Sequence, residues 1–276
     1  MPELPEVETT LRGIRPHLNG QTFERLIVRD GRLRWPIPPD LPARLQGCRI
    51  DALNRRGKYI LIHVSPADGP SGALILHLGM SGSLRITDAV SPPRKHDHYD
   101  LILPDGNCLR FHDPRRFGCL LWIEDDPNQH PLIASLGIEP FEPGFNGQFL
   151  HERSSSRSAA VKSFIMDSHV VVGVGNIYAS ESLFRAGIDP RRAAGRISLE
   201  RYRRLANAIK AVLAASLEQG GTTLRDFVNE SGNPGYFKQI LNVYDRAGEP
   251  CRVCGQPIRV SRLGRRSTYW CAGCQR

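Results

Sequence analysis

The 276-residue chain is 40% hydrophobic and 24% charged, with 26 glycines and 21 prolines in no periodic arrangement, which excludes collagen, coiled coil and wholesale disorder and allows about two compact domains. No apolar run approaches the roughly 20 residues that span a bilayer, and the opening MPELPEVE lacks the basic and apolar regions of a signal peptide, so neither secretion nor membrane insertion is expected. The formal net charge is +9, and the stretch from Cys251 to Arg276 holds six arginines and no acid, a positive surface that attracts polyanions, nucleic acid foremost.

Val7, Leu11, Ile14 and Leu18 recur at helical spacing and predict an N-terminal helix. Strand-like runs then follow at 23–29, 49–53, 58–64, 73–78, 83–87, 99–103, 108–112 and 118–123, with Pro104-Asp105-Gly106-Asn107 as a hairpin turn. So many short strands predict a sandwich or barrel. From about Asn128 the pattern turns helical, and the polar run HERSSSRS at 151–158 reads as a boundary or exposed connection. The clearest helix spans 199–219. Ser198 is its N-cap, Tyr202, Leu205, Ile209, Val212, Leu213 and Leu217 share its apolar face, and Gly220-Gly221 is its stop. A third unit begins after Tyr244.

Cys251-x2-Cys254 and Cys271-x2-Cys274 stand 16 residues apart, the spacing of a four-cysteine zinc site. Each pair can offer two thiolates to one tetrahedron, which predicts one structural Zn2+ with no open position for water or substrate. Two disulfides are the alternative; they fit poorly with the absent secretory signal and with Cys48, Cys108 and Cys119, which stand alone in apolar runs. Between the pairs, IRVSRLGRRSTYW alternates about Gly264 as a two-stranded ribbon would, with Arg262, Arg265 and Arg266 at its turn, able to meet phosphates or a DNA groove.

Pro2 follows Met1, and removal of Met1 would expose a secondary amine. An α-amino group titrates near ~7.7–8.0 against ~10.4 for lysine, so more of it is a free nucleophile at neutral pH. Attack on a sugar C1′ would give a cationic iminium, an electron sink for elimination, with Glu3, Glu6 and Glu8 nearby as acids or bases. Only five lysines occur, Lys58, Lys95, Lys162, Lys210 and Lys238.

In this order MPELPEVETTLRG, RRGKY, HLGMSGSLRI, KHDHYDL, DPRRFG, VGVGNIYASESLFRAGI, QGGTTLRDF and the CxxC pairs resemble formamidopyrimidine-DNA glycosylase over essentially the whole chain. The resemblance implies an α+β protein: a β-sandwich with an N-terminal helix over 1–127, a helix-two-turn-helix domain over 128–240 and a zinc ribbon over 241–276. It implies removal of 8-oxoguanine and formamidopyrimidines from double-stranded DNA, followed by nicking at the abasic site. Pro2 is then the Schiff-base nucleophile, Glu3 the acid that helps open the sugar, Glu6 a supporting carboxylate and Lys58 a proton donor in β-elimination. Met80, Arg115 and Phe117 fill the gap left by the extruded nucleotide, where apolar wedges offset lost stacking and a guanidinium meets the orphaned cytosine. His96, Arg115, Arg157 and Asn176 match DNA contacts, Arg157 standing where the family has lysine. Arg266 matches the ribbon arginine; a guanidinium with a pKa above ~12 gives up protons poorly, so a phosphate contact suits it better than proton donation in δ-elimination. The segment 222–236 is the expected lesion reader. His77, His98 and His112 are expected only to pack or hydrogen-bond. A cytoplasmic monomer without a membrane partner is expected.

Three other readings compete. A non-enzymatic zinc protein that binds DNA has no need of Pro2 or Lys58. A tautomerase using Pro2 as a base leaves the arginine-rich ribbon unexplained. The endonuclease VIII branch, which prefers oxidised pyrimidines, fits PELPEVE and the stretch 220–236 less well than the purine branch.

Overall fold

The first helix, α1 (Leu4–Leu18), begins where Glu3 and Glu6 form a capping box, with Pro5 in its first turn, where a missing N–H costs nothing. Leu4, Val7, Leu11, Ile14 and Leu18 are all at most 1% exposed, so the apolar stripe read from the sequence is the buried face. The computed structural model describes residues 2–124, 126–223 and 241–276; the greater part of the expected lesion-reading segment falls outside the described residues. The chain divides into two compact units, residues 2–134 with the end of the last helix, and residues 135–216 with 241–276.

In the first unit all eight expected strands form, with ends within three residues of expectation: β1 (Arg25–Val28), β2 (Arg49–Arg56), β3 (Tyr59–Ser65), β4 (Gly72–His77), β5 (Ser83–Asp88), β6 (Asp97–Ile102), β7 (Asn107–His112) and β8 (Cys119–Ile123). A short helix, α2 (Leu41–Leu45), precedes β2, and α3 (Pro131–Ala134) follows β8. Two antiparallel four-stranded sheets result, ordered β1-β6-β7-β5 and β2-β3-β4-β8. Side chains of both sheets and of α1 share one apolar core, including Leu11, Ile14, Ile62, Leu74, Leu101, Leu109 and Phe111. This is the expected sandwich with its N-terminal helix. Asp100 of β6 and Arg110 of β7 are register partners, fully buried, and joined by two bonds of 2.7 and 2.8 Å. Such a pair is tolerated because each charge is satisfied by the other.

The second unit is helical: α4 (Gly147–Ser154), α5 (Val161–Ile165), α6 (Asn176–Ala186) and α7 (Leu199–Thr223). Two expectations fail here. The run 151–158 is not wholly connection: its first half is the last turn of α4, which Asn146 caps by accepting the Phe149 N–H at 3.0 Å, and a good N-cap carries His151, Glu152, Arg153 and Ser154 along with the helix. Gly220-Gly221 does not stop α7, which runs to Thr223; each glycine costs about 1 kcal/mol in a helix, too little to end one that already propagates. Tyr202, Leu205, Ile209 and Leu213 are buried as expected. The ribbon forms as read, β9 (Arg259–Leu263) antiparallel to β10 (Arg266–Trp270), with Gly264 at φ +59° opening the two-residue turn. No helix among the described residues is long and apolar enough to cross a membrane.

Candidate active site and cysteine cluster

Glu3 is only 2% exposed, and its N–H donates to Glu6 Oε2 at 2.8 Å. Pro2, half-buried, directly precedes this cap. One turn on, Glu8 accepts from Arg55 Nε and from Arg12 Nε, both at 2.9 Å. Arg55 also donates to the Gly57 carbonyl at 2.9 Å, and Arg15 donates to the Leu53 carbonyl at 3.0 Å. α1 is thereby fastened to β2 and to the turn that carries Lys58, so Pro2, Glu3 and Lys58 ride on elements that cannot shift independently. Burial pushes the Glu8 carboxyl up, but Arg55 and Arg12 outweigh it and hold the pKa below the usual range. Glu8, one of three acids offered by the sequence, is therefore held toward its charged form by two arginines and clamps α1 to β2.

His77 ends β4 next to this turn. Its Nδ1 accepts the Gly79 N–H at 2.9 Å, and its ring lies 4.8 Å from that of Tyr59. Burial, followed by the charges of Lys58 and Arg34, pushes its pKa down to about 4. A neutral imidazole thus borders the lysine.

Met80, in the turn between β4 and β5, and Phe117, in the turn before β8, are 36% and 42% exposed. The Arg115 guanidinium stacks over the Phe117 ring at 4.9 Å. His96 takes φ +74°, a left-handed conformation rare outside glycine. His98 donates from Nε2 to the Asp113 carbonyl at 2.7 Å, and His112 Nδ1 lies 2.9 Å from Asp97 Oδ1. Both are hydrogen-bonding histidines, as the sequence leads one to expect.

In the second unit, Asn176 opens α6 and donates from Nδ2 to the Ser267 carbonyl at 3.1 Å. Lys162, 1% exposed, donates from Nζ to that same carbonyl and to Thr268 Oγ1, each at 3.0 Å. The residue after Arg266 is therefore gripped from α5 and α6. Arg266 itself is exposed. Arg157 is also exposed, its carbonyl accepting the Gly195 N–H at 2.9 Å. The Sγ atoms of Cys251, Cys254, Cys271 and Cys274 all lie within 4.8 Å of one another, with Cys251–Cys274 at 3.8 Å and Cys254–Cys271 at 3.3 Å. A tetrahedral ion with metal–sulfur bonds of about 2.3 Å sets sulfur–sulfur edges near 3.8 Å, so the cluster fits one ion.

The sequence pattern of the formamidopyrimidine-DNA glycosylase N-terminal domain matches residues 1–120, and that of the H2TH domain of the same enzymes matches 136–228. The chain belongs to the formamidopyrimidine-DNA glycosylase family. It is therefore a base-excision repair DNA glycosylase. Curated relatives bearing that family name include those of Methylococcus capsulatus, 63% identical, and Stutzerimonas stutzeri, 59% identical, each alignment covering 100% of both chains. Among solved structures, the MutM (Fpg) protein of Thermus thermophilus is 37% identical with a TM-score of 0.84, covering 99% of this chain and 98% of that one. The Lactococcus lactis Fpg, solved in complex with DNA containing an abasic site, is 28% identical with a TM-score of 0.88 and 99% coverage of both.

Sequence reasoning about this glycosylase missed the residues that hold others in place: Glu8 as a clamp, Asp97, Asp113 and Lys162. Asp113 opens the DPRRFG motif, and an Asp-Pro pair before a glycine is a turn signal that could have marked it. Lys162 stands in an apolar run, where a lone lysine at a buried position asks for partners. Nothing local marks Asp97.

Proposed function

We propose that this glycosylase excises oxidised purines, 8-oxoguanine and ring-opened formamidopyrimidines, from double-stranded DNA and then nicks the strand as an abasic-site lyase by β,δ-elimination. The observation that carries the reading is the head of α1, where a buried carboxylate, Glu3, adjoins Pro2 on a helix pinned to the Lys58 turn. Once Met1 is removed, the Pro2 nitrogen is a secondary amine. It attacks C1′, the C1′–N9 bond electrons leave with the base, and the proton that the nitrogen gives up neutralises the departing base. Its lone pair then expels O4′, which Glu3 protonates, leaving an iminium between Pro2 and C1′. That cation acidifies C2′–H, so β-elimination releases the 3′ phosphate, with Lys58 as proton donor, and δ-elimination releases the 5′ phosphate. Glu6 supports Glu3 through the capping box.

Met80, Arg115 and Phe117 are assigned to the gap left by the extruded nucleotide, consistent with their exposure and stacking. His96, Arg157, Asn176 and Arg266 are assigned to phosphates. For Arg266, the grip of Lys162 and Asn176 on Ser267 supports a fixed phosphate contact rather than a mobile proton donor. One structural Zn2+ held by Cys251, Cys254, Cys271 and Cys274 would stiffen the ribbon beneath it. We assign the catalytic part to 1–127, the helix-two-turn-helix part to 128–240 and the ribbon to 241–276, in a cytoplasmic monomer.

Borohydride trapping on a duplex containing 8-oxoguanine, followed by mass spectrometry of the attached peptide, tests substrate, chemistry and nucleophile together. The expected adduct is on Pro2. An adduct on a Lys58 peptide would make lysine the nucleophile.

A further inference from the structure

Asp113 is 0% exposed, yet no reacting group in the proposed chemistry uses it. Its carboxylate and backbone reach three separate turns. Oδ1 accepts from Ser81 Oγ at 2.7 Å and from the Arg115 N–H at 3.2 Å, and Oδ2 accepts the Gly118 N–H at 2.8 Å. Its own N–H donates to the His96 carbonyl at 3.0 Å, and its carbonyl accepts from His98 Nε2 at 2.7 Å. All but the last of these partners carry or adjoin a side chain assigned above to DNA: Ser81 follows Met80, Arg115 is bound directly, Gly118 follows Phe117, and His96 is held by its carbonyl.

Backbone packing closes the same assembly. A Cβ on Gly79 would fall 2.5 Å from the Phe117 carbonyl carbon, and one on Gly118 would fall 2.8 Å from the His77 carbonyl oxygen. The Met80 turn and the Phe117 turn therefore press together with no room for a side chain between them. His96 is held in a left-handed conformation that residues other than glycine rarely adopt. The Asp113 N–H bond helps to hold it. On the other side of His96, the buried Asp97 carboxylate accepts from Arg85 Nη2 at 2.6 Å and from the Arg94 N–H at 2.8 Å.

We propose that Asp113 is a positioning residue that locks the Met80, His96 and Arg115–Phe117 turns into one preassembled array, so that wedge, opposite-base reader and phosphate contact are in place before DNA arrives. The inference rests on the assignment of those four side chains to DNA. A charged hub suits this role, because an ionised carboxylate only accepts, and here it faces two backbone N–H groups and a hydroxyl. Asp113→Asn keeps the volume but turns an NH2 group toward one of those N–H groups, donor against donor.

The test compares Asp113→Asn, Ser81→Ala and Arg115→Ala. Two quantities are measured for each: the ratio of excision rates with cytosine and with adenine opposite 8-oxoguanine, and the borohydride adduct yield on single-stranded abasic DNA. Asp113→Asn is expected to lower the cytosine preference about 10- to 100-fold, the scale on which a misplaced group slows a positioned reaction, while the single-stranded adduct stays within about twofold. If Arg115→Ala lowers the preference and Asp113→Asn does not, the hub is wrong and the DNA assignment stands. If neither lowers it, the assignment of Arg115 fails, and the hub with it. Should Asp113→Asn not fold, Ser81→Ala decides alone: it removes one hydroxyl tie and is expected to slow excision from duplex by about threefold or more with the single-stranded adduct intact. Unchanged duplex excision by a folded Ser81→Ala would overturn the proposal.

Discussion

The partly buried His77 makes stability depend on pH in a calculable way. Its ordinary pKa of 6.5 is pushed down to about 4, first by burial and then by the neighbouring charges of Lys58 and Arg34, with Asp113 pulling weakly the other way. Between those values the unfolded chain takes up a proton that the folded chain refuses. The sign follows: the ring's contribution is complete above pH 6.5 and is lost as pH falls toward 4. The gap between the two pKa values corresponds to at most about 3 kcal/mol. His77→Asn removes the titration and can place Oδ1 where Nδ1 now accepts the Gly79 N–H. Urea unfolding from about pH 7.5 to about pH 4.5 should therefore show a steeper loss for the parent than for the variant. Trp35 and Trp122 report on the first unit. Parallel pH curves for the two proteins would refute the account, since the neutral ring would then carry no penalty on protonation.

Metal analysis should find about one Zn per chain, and Cys271→Ala should unfold the ribbon and weaken DNA binding while the sandwich keeps its circular dichroism; active protein without zinc would contradict this. Arg266→Ala should weaken binding to lesion and undamaged duplex alike, with a shallower slope of log affinity against log salt, and an unchanged slope would remove it from the phosphate contacts. Glu3→Gln should slow excision more than lyase action on a preformed abasic site, because the acid is needed most when a closed sugar must open. Lys58→Ala should slow elimination while the trapped adduct still forms; loss of the adduct would move lysine into the attacking role.

Much of the fold could be read locally. The period-3.6 stripe of Val7, Leu11, Ile14 and Leu18, the eight short apolar runs and Gly264 between two alternating segments each describe an element whose partner surface must be apolar, whatever that partner is. The four cysteines are equally local, since two short knuckles can meet on one ion. Local patterns failed at α7, where the accumulated hydrogen bonds of a long helix outweigh two glycines.

Most of what organises the candidate site was not local. Pro2, Glu3 and Lys58 were legible only through their motifs, whereas the clamp that joins them depends on Glu8 meeting Arg55, 47 residues away. Asp113 reaches back 32 residues to Ser81, and Lys162 crosses 105 to Ser267. The sequence by itself determined which segments would be strand, helix and metal knuckle, because periodicity and capping act within a few residues. Only the tertiary structure decided that Glu8 is a strut between α1 and β2 and that Asp113 ties separate turns together, because a carboxylate's partners are set by the strands that packing brings beside it.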